Sequence, residues 1–153
     1  MASILVPNFN QRFIGVSCSK SSTQSINNAT WTVVTFNTEQ FDTNNFHDNS
    51  SNTSRITIPT GRGGYYLLSG TLTFASNATG ARGVQINKNG SQLFNPTFIT
   101  TVNGFDSSYP FSLTISLVGG DYVEVLGYQN SGGALNLQSG TVGTLFQATY
   151  LGA

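Results

Sequence analysis

Few side chains in this sequence could carry chemistry, and their spacing narrows the options further. His47 is the only histidine and Cys18 the only cysteine, so any Ser/His/Asp or Cys/His relay would have to run through His47. That residue sits in a polar stretch with Asp42, Asp48 and several serines, where composition alone supplies such neighbours. An exposed loop histidine is the expectation. Zinc held by nitrogen and sulfur needs more His or Cys than this. Oxygen ligands for a hard cation could come from Asp42, Asp48, Asp106, Asp121, Glu39 and Glu124, but no Asp-x-Asp-x-Asp-Gly spacing occurs. Aspartates capping turns are expected instead. So few acids also argue against a facing pair of glycosidase carboxylates. Gly61-Arg62-Gly63-Gly64 lacks the lysine and the helix of a phosphate loop and reads as a turn. Cys18 lies in the apolar row Ile14, Val16, Cys18 and reads as core packing; alone, it closes no intrachain disulfide. No catalytic residue, metal or cofactor is expected, and the chain reads as a non-enzyme.

The elements that would position these residues are strands. In Arg55 to Phe74, Ile56 and Ile58 alternate with Arg55 and Thr57, which puts the isoleucines on one face. Pro59 ends that ladder, and a glycine-rich turn reverses the chain. In the long strand that follows, Tyr66, Leu68, Leu72 and Phe74 share one face, and Tyr65, Ser69, Thr71 and Thr73 the other, with Leu67 breaking the contrast. One buried face and one hydroxyl face describe a sheet packed on another sheet.

The rest of the chain repeats this pattern. Arg12 to Cys18 predicts a first core strand, Ser19 to Asn28 a polar connection, and Thr30 to Phe36 a strand apolar on both faces, so that a second element or another subunit covers its outer one. Glu39 to Ser54 predicts a long irregular segment packed by Phe41 and Phe46. Arg82 to Lys88 is a strand with Val84 and Ile86 inward, and Asn89-Gly90 the strongest hairpin signal. Leu93 to Val102, broken at Pro96, reads as an edge. Tyr109 to Leu117 alternates strictly, Gly119-Gly120-Asp121 predicts a hairpin into Tyr122 to Tyr128, and Gly143 to Leu151 closes the fold. No helical period and no internal repeat occur. These features predict an all-β, two-sheet antiparallel jelly-roll sandwich, a single domain over 12–153 with an N-terminal arm over 1–11.

Composition bears on partners. Only 8% of the 153 residues are charged, against about 25% in an average soluble protein. Six basic and six acidic residues cancel, leaving no electrostatic footprint for nucleic acid or anionic lipid. A neutral surface rich in Ser, Thr, Asn and Gln suits a protein covered by neighbours. Eleven phenylalanines and six tyrosines exceed what one sandwich core of this length needs, and aromatic residues are enriched at interface cores. No signal peptide or membrane-spanning stretch is read; synthesis in a cytoplasm is expected.

Ile56-x-Ile58-Pro59, the glycine turn and Gly64-Tyr65-Tyr66-x-Leu68 running to Phe74 resemble the centre of the jelly-roll domain shared by complement component one q and tumour necrosis factor. Thr30-Trp31-x-Val33-Val34-x-Phe36 and Phe41-Asp42 before this centre, and Asn89-Gly90 and Gly120-Asp121-Tyr122-Val123 after it, fit in the same order. The combination is most similar to versions of this domain in bacteriophage structural proteins, over Ile14 to Leu151. The resemblance implies a homotrimer about a threefold axis, with Tyr65, Tyr66, Phe74, Tyr109, Phe111, Phe146 and Tyr150 shared between core and axis. It implies a virion protein on the capsid surface, a head decoration or cement protein bridging major capsid protein subunits. The short lead before the first core strand favours that over a fibre tip, which would follow a long stalk. Ile4, Leu5, Val6, Pro7 and Phe9 are then the expected capsid contacts. The alternative is a receptor- or carbohydrate-binding module of a tail or host-attachment structure, using the loops Glu39 to Ser54 and Gln129 to Thr141.

Overall fold

The alternation of the long central strand organises the molecule. In the computed structural model, which describes residues 12–101 and 104–153, Tyr66, Leu68, Leu72 and Phe74 are fully buried, while Tyr65 beside them is 55% exposed. Among the described residues thirteen strands form: β1 (Gly15–Ser19), β2 (Gln24–Ile26), β3 (Thr32–Val33), β4 (Thr38–Asp42), β5 (Arg55–Thr57), β6 (Gly64–Phe74), β7 (Ala81–Lys88), β8 (Ser91–Gln92), β9 (Thr97–Thr100), β10 (Ser107–Leu117), β11 (Tyr122–Gln129), β12 (Leu135–Leu137) and β13 (Leu145–Gly152). No helix occurs among the described residues.

The strands make two antiparallel sheets. The first has seven strands in the order β2-β12-β6-β13-β1-β4, with β10 on the free side of β6; the second has six, β3-β11-β7-β8, with β5 on β11 and β9 on β7. Their inner faces meet in one core. Val16, Cys18, Phe146 and Ala148 come from the first sheet, Ile56, Val84, Ile86, Val123 and Val125 from the second. Sheet-on-sheet packing of alternating residues is the expected arrangement for such sequences.

Several features follow the sequence directly. Asn89 and Gly90 take φ of 52° and 78°, the left-handed pair that a tight hairpin needs, and join β7 to β8. Pro96 precedes β9, which pairs only with β7 at the sheet edge. Trp31 is covered on its outer side, as expected of a two-faced apolar strand, by Phe98 and Tyr128 at 5.7 and 5.1 Å between ring centroids.

Other expectations are corrected. The turn at Gly119-Gly120-Asp121 does not close a hairpin: β10 pairs with β6 along its whole length, while β11 pairs with β3, β5 and β7 in the other sheet. The same turn chemistry serves a crossing between sheets, and only the pairing distinguishes the two. The polar connection Ser19 to Asn28 contains β2, and the loop Gln129 to Thr141 contains β12; these short strands pair with each other through Leu135↔Ile26 and Leu137↔Gln24. Three residues with one or two apolar side chains carry no readable period. Thr30 to Phe36 keeps only Thr32–Val33 as strand, yet Val34 and Phe36 are fully buried. Glu39 to Ser54 opens with β4 rather than with irregular chain.

Candidate functional site

The groups best suited to chemistry are held in structural roles. His47 is not an exposed loop residue; its side chain is fully buried. Phe46, 1% exposed, anchors in the core and takes its neighbour inside with it. The His47 ring contacts Glu39 Oε1 through Nδ1 at 3.1 Å and the Thr53 carbonyl through Nε2 at 3.2 Å, and its backbone N–H donates to Asp42 Oδ2 at 2.9 Å. Neither ring partner is a hydroxyl or thiol that the imidazole could activate. The Cys18 thiol donates to the Phe146 carbonyl at 3.3 Å. Burial, then the charges of Glu39 and Asp42, push its pKa far above that of a free thiol, so no thiolate is on offer.

Asp42, Asp48 and Asp121 cap turns, while Asp106 bridges loops. Asp42 accepts from the Asn44 N–H, Asp48 from Ser50 and Ser51, Asp106 from Ser76 and Asp121 from Val118. Two buried cations pin loops. Lys20 donates to the Thr35 carbonyl at 2.5 Å and to Gln24 Oε1 at 2.9 Å, and burial pulls it down to about 8. Arg82, fully buried, donates to the carbonyls of Asn77, Thr79 and Ala81 at 3.0 Å each.

What the fold does present is surface. On the outer face of the first sheet, Ser17 (β1), Gln147 (β13), Ser69 (β6) and Ser112 (β10) stand in one cross-strand row. Gln147 Nε2 donates to Ser17 Oγ at 3.1 Å, and Ser17 Oγ donates to Gln40 Oε1 at 3.1 Å. The neighbouring rows carry Leu145, Thr71 and Pro110 on one side and Thr149, Leu67 and Thr114 on the other. Leu151 and Tyr65, each 55% exposed, follow below. None of these outward residues is charged, and neither are Thr38, Gln40 and Phe41 of β4, Asn136 of β12 or Ser25 of β2.

A second surface lies at the open side of the sandwich. Phe111, Leu113 and Ile115 of β10 face inward but are only partly buried, because the second sheet ends short of them. The gap is a cleft of about 420 Å³ between β10 and β7–β9, lined by Val84, Ile86, Phe94, Ile99, Tyr109 and Phe111 among others. Two of its apolar lining residues, Phe94 and Ile99, are 57% and 43% exposed.

Solved structures share this architecture. Murine APRIL superposes with a TM-score of 0.68 at 15% identity, over 92% of this chain and 100% of that one. The globular domain of zebrafish complement 1qA protein gives 0.64 at 14%, over 90% and 97%, and Eiger TNF from S. frugiperda 0.59 at 9%, over 91% and 92%. The fold is a jelly roll of the tumour necrosis factor and complement C1q type. No family model matches the chain, and no curated protein matches it in sequence. Identities this low carry the fold and nothing finer.

Within this jelly roll the seven aromatic candidates separate. Tyr66, Phe74 and Phe146 are fully buried and Tyr109 is 5% exposed; they fill the core. Phe111 lines the cleft, and Tyr150 is partly buried against Tyr66 at 5.3 Å. Tyr65 alone points outward from the first sheet. The arm residues Ile4, Leu5, Val6, Pro7 and Phe9 lie outside the described residues. Sequence reasoning missed the cleft, which depends on where the second sheet stops, and it missed Arg12, Arg62 and Asn44, which gather in space from separate segments.

Proposed function

We propose that the chain is a non-enzymatic virion structural protein, a homotrimeric decoration or cement protein that stabilises a tailed-phage head by bridging capsid subunits. The observation that carries this reading is the outer face of the first sheet, on which no outward side chain is ionised. Such a face loses little by leaving water, since unpaired charges are the costly groups to bury. The apolar cleft edge is the second support. A single self-complementary patch favours a twofold dimer, whereas two different sticky surfaces favour contact of one with the other, and such heterologous contacts make a ring where the rotation between copies closes. Large neutral interfaces between rigid sheets suit bridging by buried area without chemistry. The family resemblance in the sequence supports the threefold ring and the phage setting, and the arm over 1–11 supplies the capsid contact.

Light scattering on the purified chain tests the assembly: a mass about three times the 16.3 kDa of one chain is expected, and a stable monomer overturns it. Imaging of assembled particles tests the location, with density expected at symmetry positions on the head shell. A second reading, a host-attachment binding module, is favoured by the polar hollow of about 580 Å³ bounded by Glu39, Asn45, Asp48, Asn52 and Arg55. Specific binding on a glycan array, with no density on the head, would select it.

A further inference from the structure

We infer that the hollow between the start of β1 and the glycine turn after β5 is a binding site for an oxyanion, carboxylate or phosphate, carried on a small ligand with an apolar face. The hollow measures about 350 Å³, at the lower end of small-molecule sites and enough for a single ring. Four segments build it: Arg12 to Ile14 before β1, Thr43-Asn44 after β4, Arg62 in the turn, and Tyr150-Leu151 near the end of β13.

The charge distribution gives the ligand its sign. Two guanidinium groups line the hollow and no carboxylate does. Among the described residues the ion pairs are His47–Glu39 and Lys88–Asp121, so neither Arg12 nor Arg62 is paired. Asp42, the acid nearest in sequence, has both oxygens engaged by the N–H groups of Asn44 and His47. In a chain of zero net charge with so few ionised groups, two uncompensated arginines in one hollow are a local excess of positive potential. Guanidinium forks match carboxylate and phosphate oxygens.

The site is also preorganised. The Arg62 N–H donates to the Pro59 carbonyl at 3.1 Å, closing the turn, and the Arg62 carbonyl accepts from the buried Tyr66 hydroxyl at 2.6 Å. With its amide oxygen turned toward the turn, Asn44 accepts from Arg62 Nη2 at 3.3 Å, which leaves the remaining guanidinium donors for a ligand. On the opposite wall, the Tyr150 N–H donates to the Ile14 carbonyl at 3.0 Å, and the Tyr150 ring is held edge-on against Tyr66 at 5.3 Å. Phe13, Tyr150 and Leu151 supply the apolar wall, Asn44 a polar group. The inference does not depend on trimer formation or on a place in a particle.

Calorimetric titration of the full chain with galacturonate, inorganic phosphate and neutral galactose tests it. Saturable binding of galacturonate or phosphate, weakened by added salt, is expected, with galactose silent at the same concentration. Binding of galacturonate alone assigns a sugar carboxylate, and of phosphate alone a phosphate ester. Arg62→Gln should weaken the anion by about tenfold or more while Arg62→Lys retains part of it; Arg12→Gln gives the same readout should Arg62→Gln fail to fold. Equal behaviour of all three ligands, or wild-type affinity in both glutamine variants, overturns the proposal.

Discussion

The two outer faces of the sandwich are finished differently. On the second sheet the outward side chains satisfy one another. The Arg55 guanidinium lies 4.7 Å above the Tyr122 ring, the Ser54 hydroxyl donates to Glu124 at 2.8 Å, and Trp31, Phe98 and Tyr128 close a three-ring cluster. Gly83 makes room for that cluster, since a Cβ there would sit 2.9 Å from both Trp31 and Phe98. On the first sheet the outward side chains also pair, Gln147 with Ser17 and Ser17 with Gln40, but every partner there is neutral. Its outer face is uncharged and mostly Ser, Thr and Gln, with Tyr65 and Leu151 open to solvent. One sheet meets water with charges paired to rings and hydroxyls; the other meets it with neutral side chains throughout.

The largest effect that sharpens this contrast comes from adjacent tyrosines on one strand. Tyr66→Ala removes a fully buried ring and is expected to cost about 3–5 kcal/mol of protomer stability. Tyr65→Ala removes an outward ring and should cost less than about 1 kcal/mol. Urea midpoints of the two variants, measured below the concentration of assembly, check the pair. Equal losses would mean that the two faces are not distinguished as described.

A smaller change acts on the neutral face directly. Ser69 stands in the middle of the central row, so Ser69→Arg would bury an unpaired charge in any partner contact, expected to cost at least about 2 kcal/mol per interface. Light scattering should then read a monomer with an unchanged circular dichroism spectrum. Ala78→Arg, in the exposed turn between β6 and β7, is the control and should leave the mass of the assembly unchanged. Loss of assembly in both variants, or in neither, would break the comparison.

The strands that build both faces were legible because a period of two in long segments is a direct imprint of one wet and one dry face; β6, β10 and β13 are read this way. What was not legible depends on pairing at a distance. β2 and β12 are too short for a period, and each is a strand only because the other lies beside it. Polar neighbours marked His47 as a surface residue, whereas the burial of Phe46 decides its place. Arg12 and Arg62 stand far apart in the chain, and no local pattern announces their meeting.

The weakest test probes the seam between the two sheets. Asp121 sits at the crossing from β10 to β11, where it accepts from the Val118 N–H at 2.9 Å, from Asn89 Nδ2 at 2.7 Å, and from Lys88 at 2.8 Å in an ion pair. It thereby ties the exit of the first sheet to a hairpin of the second. Burial alone would raise its pKa, but the hydrogen bonds from Lys88, Val118 and Asn89 outweigh it and hold the carboxyl down at about 2. An unfolded aspartate titrates near about 3.9, so between these values the unfolded chain binds the extra proton. Stability from Asp121 is complete above about pH 4 and drains away as the pH falls toward 2. Asp121→Asn removes this group from the acid limb, so a plot of urea midpoint against pH should fall less steeply for the variant between those limits. An identical slope would mean that Asp121 does not fasten the two sheets together, and that the crossing is held by the backbone bond from the Gly120 N–H to the Ile58 carbonyl at 2.8 Å.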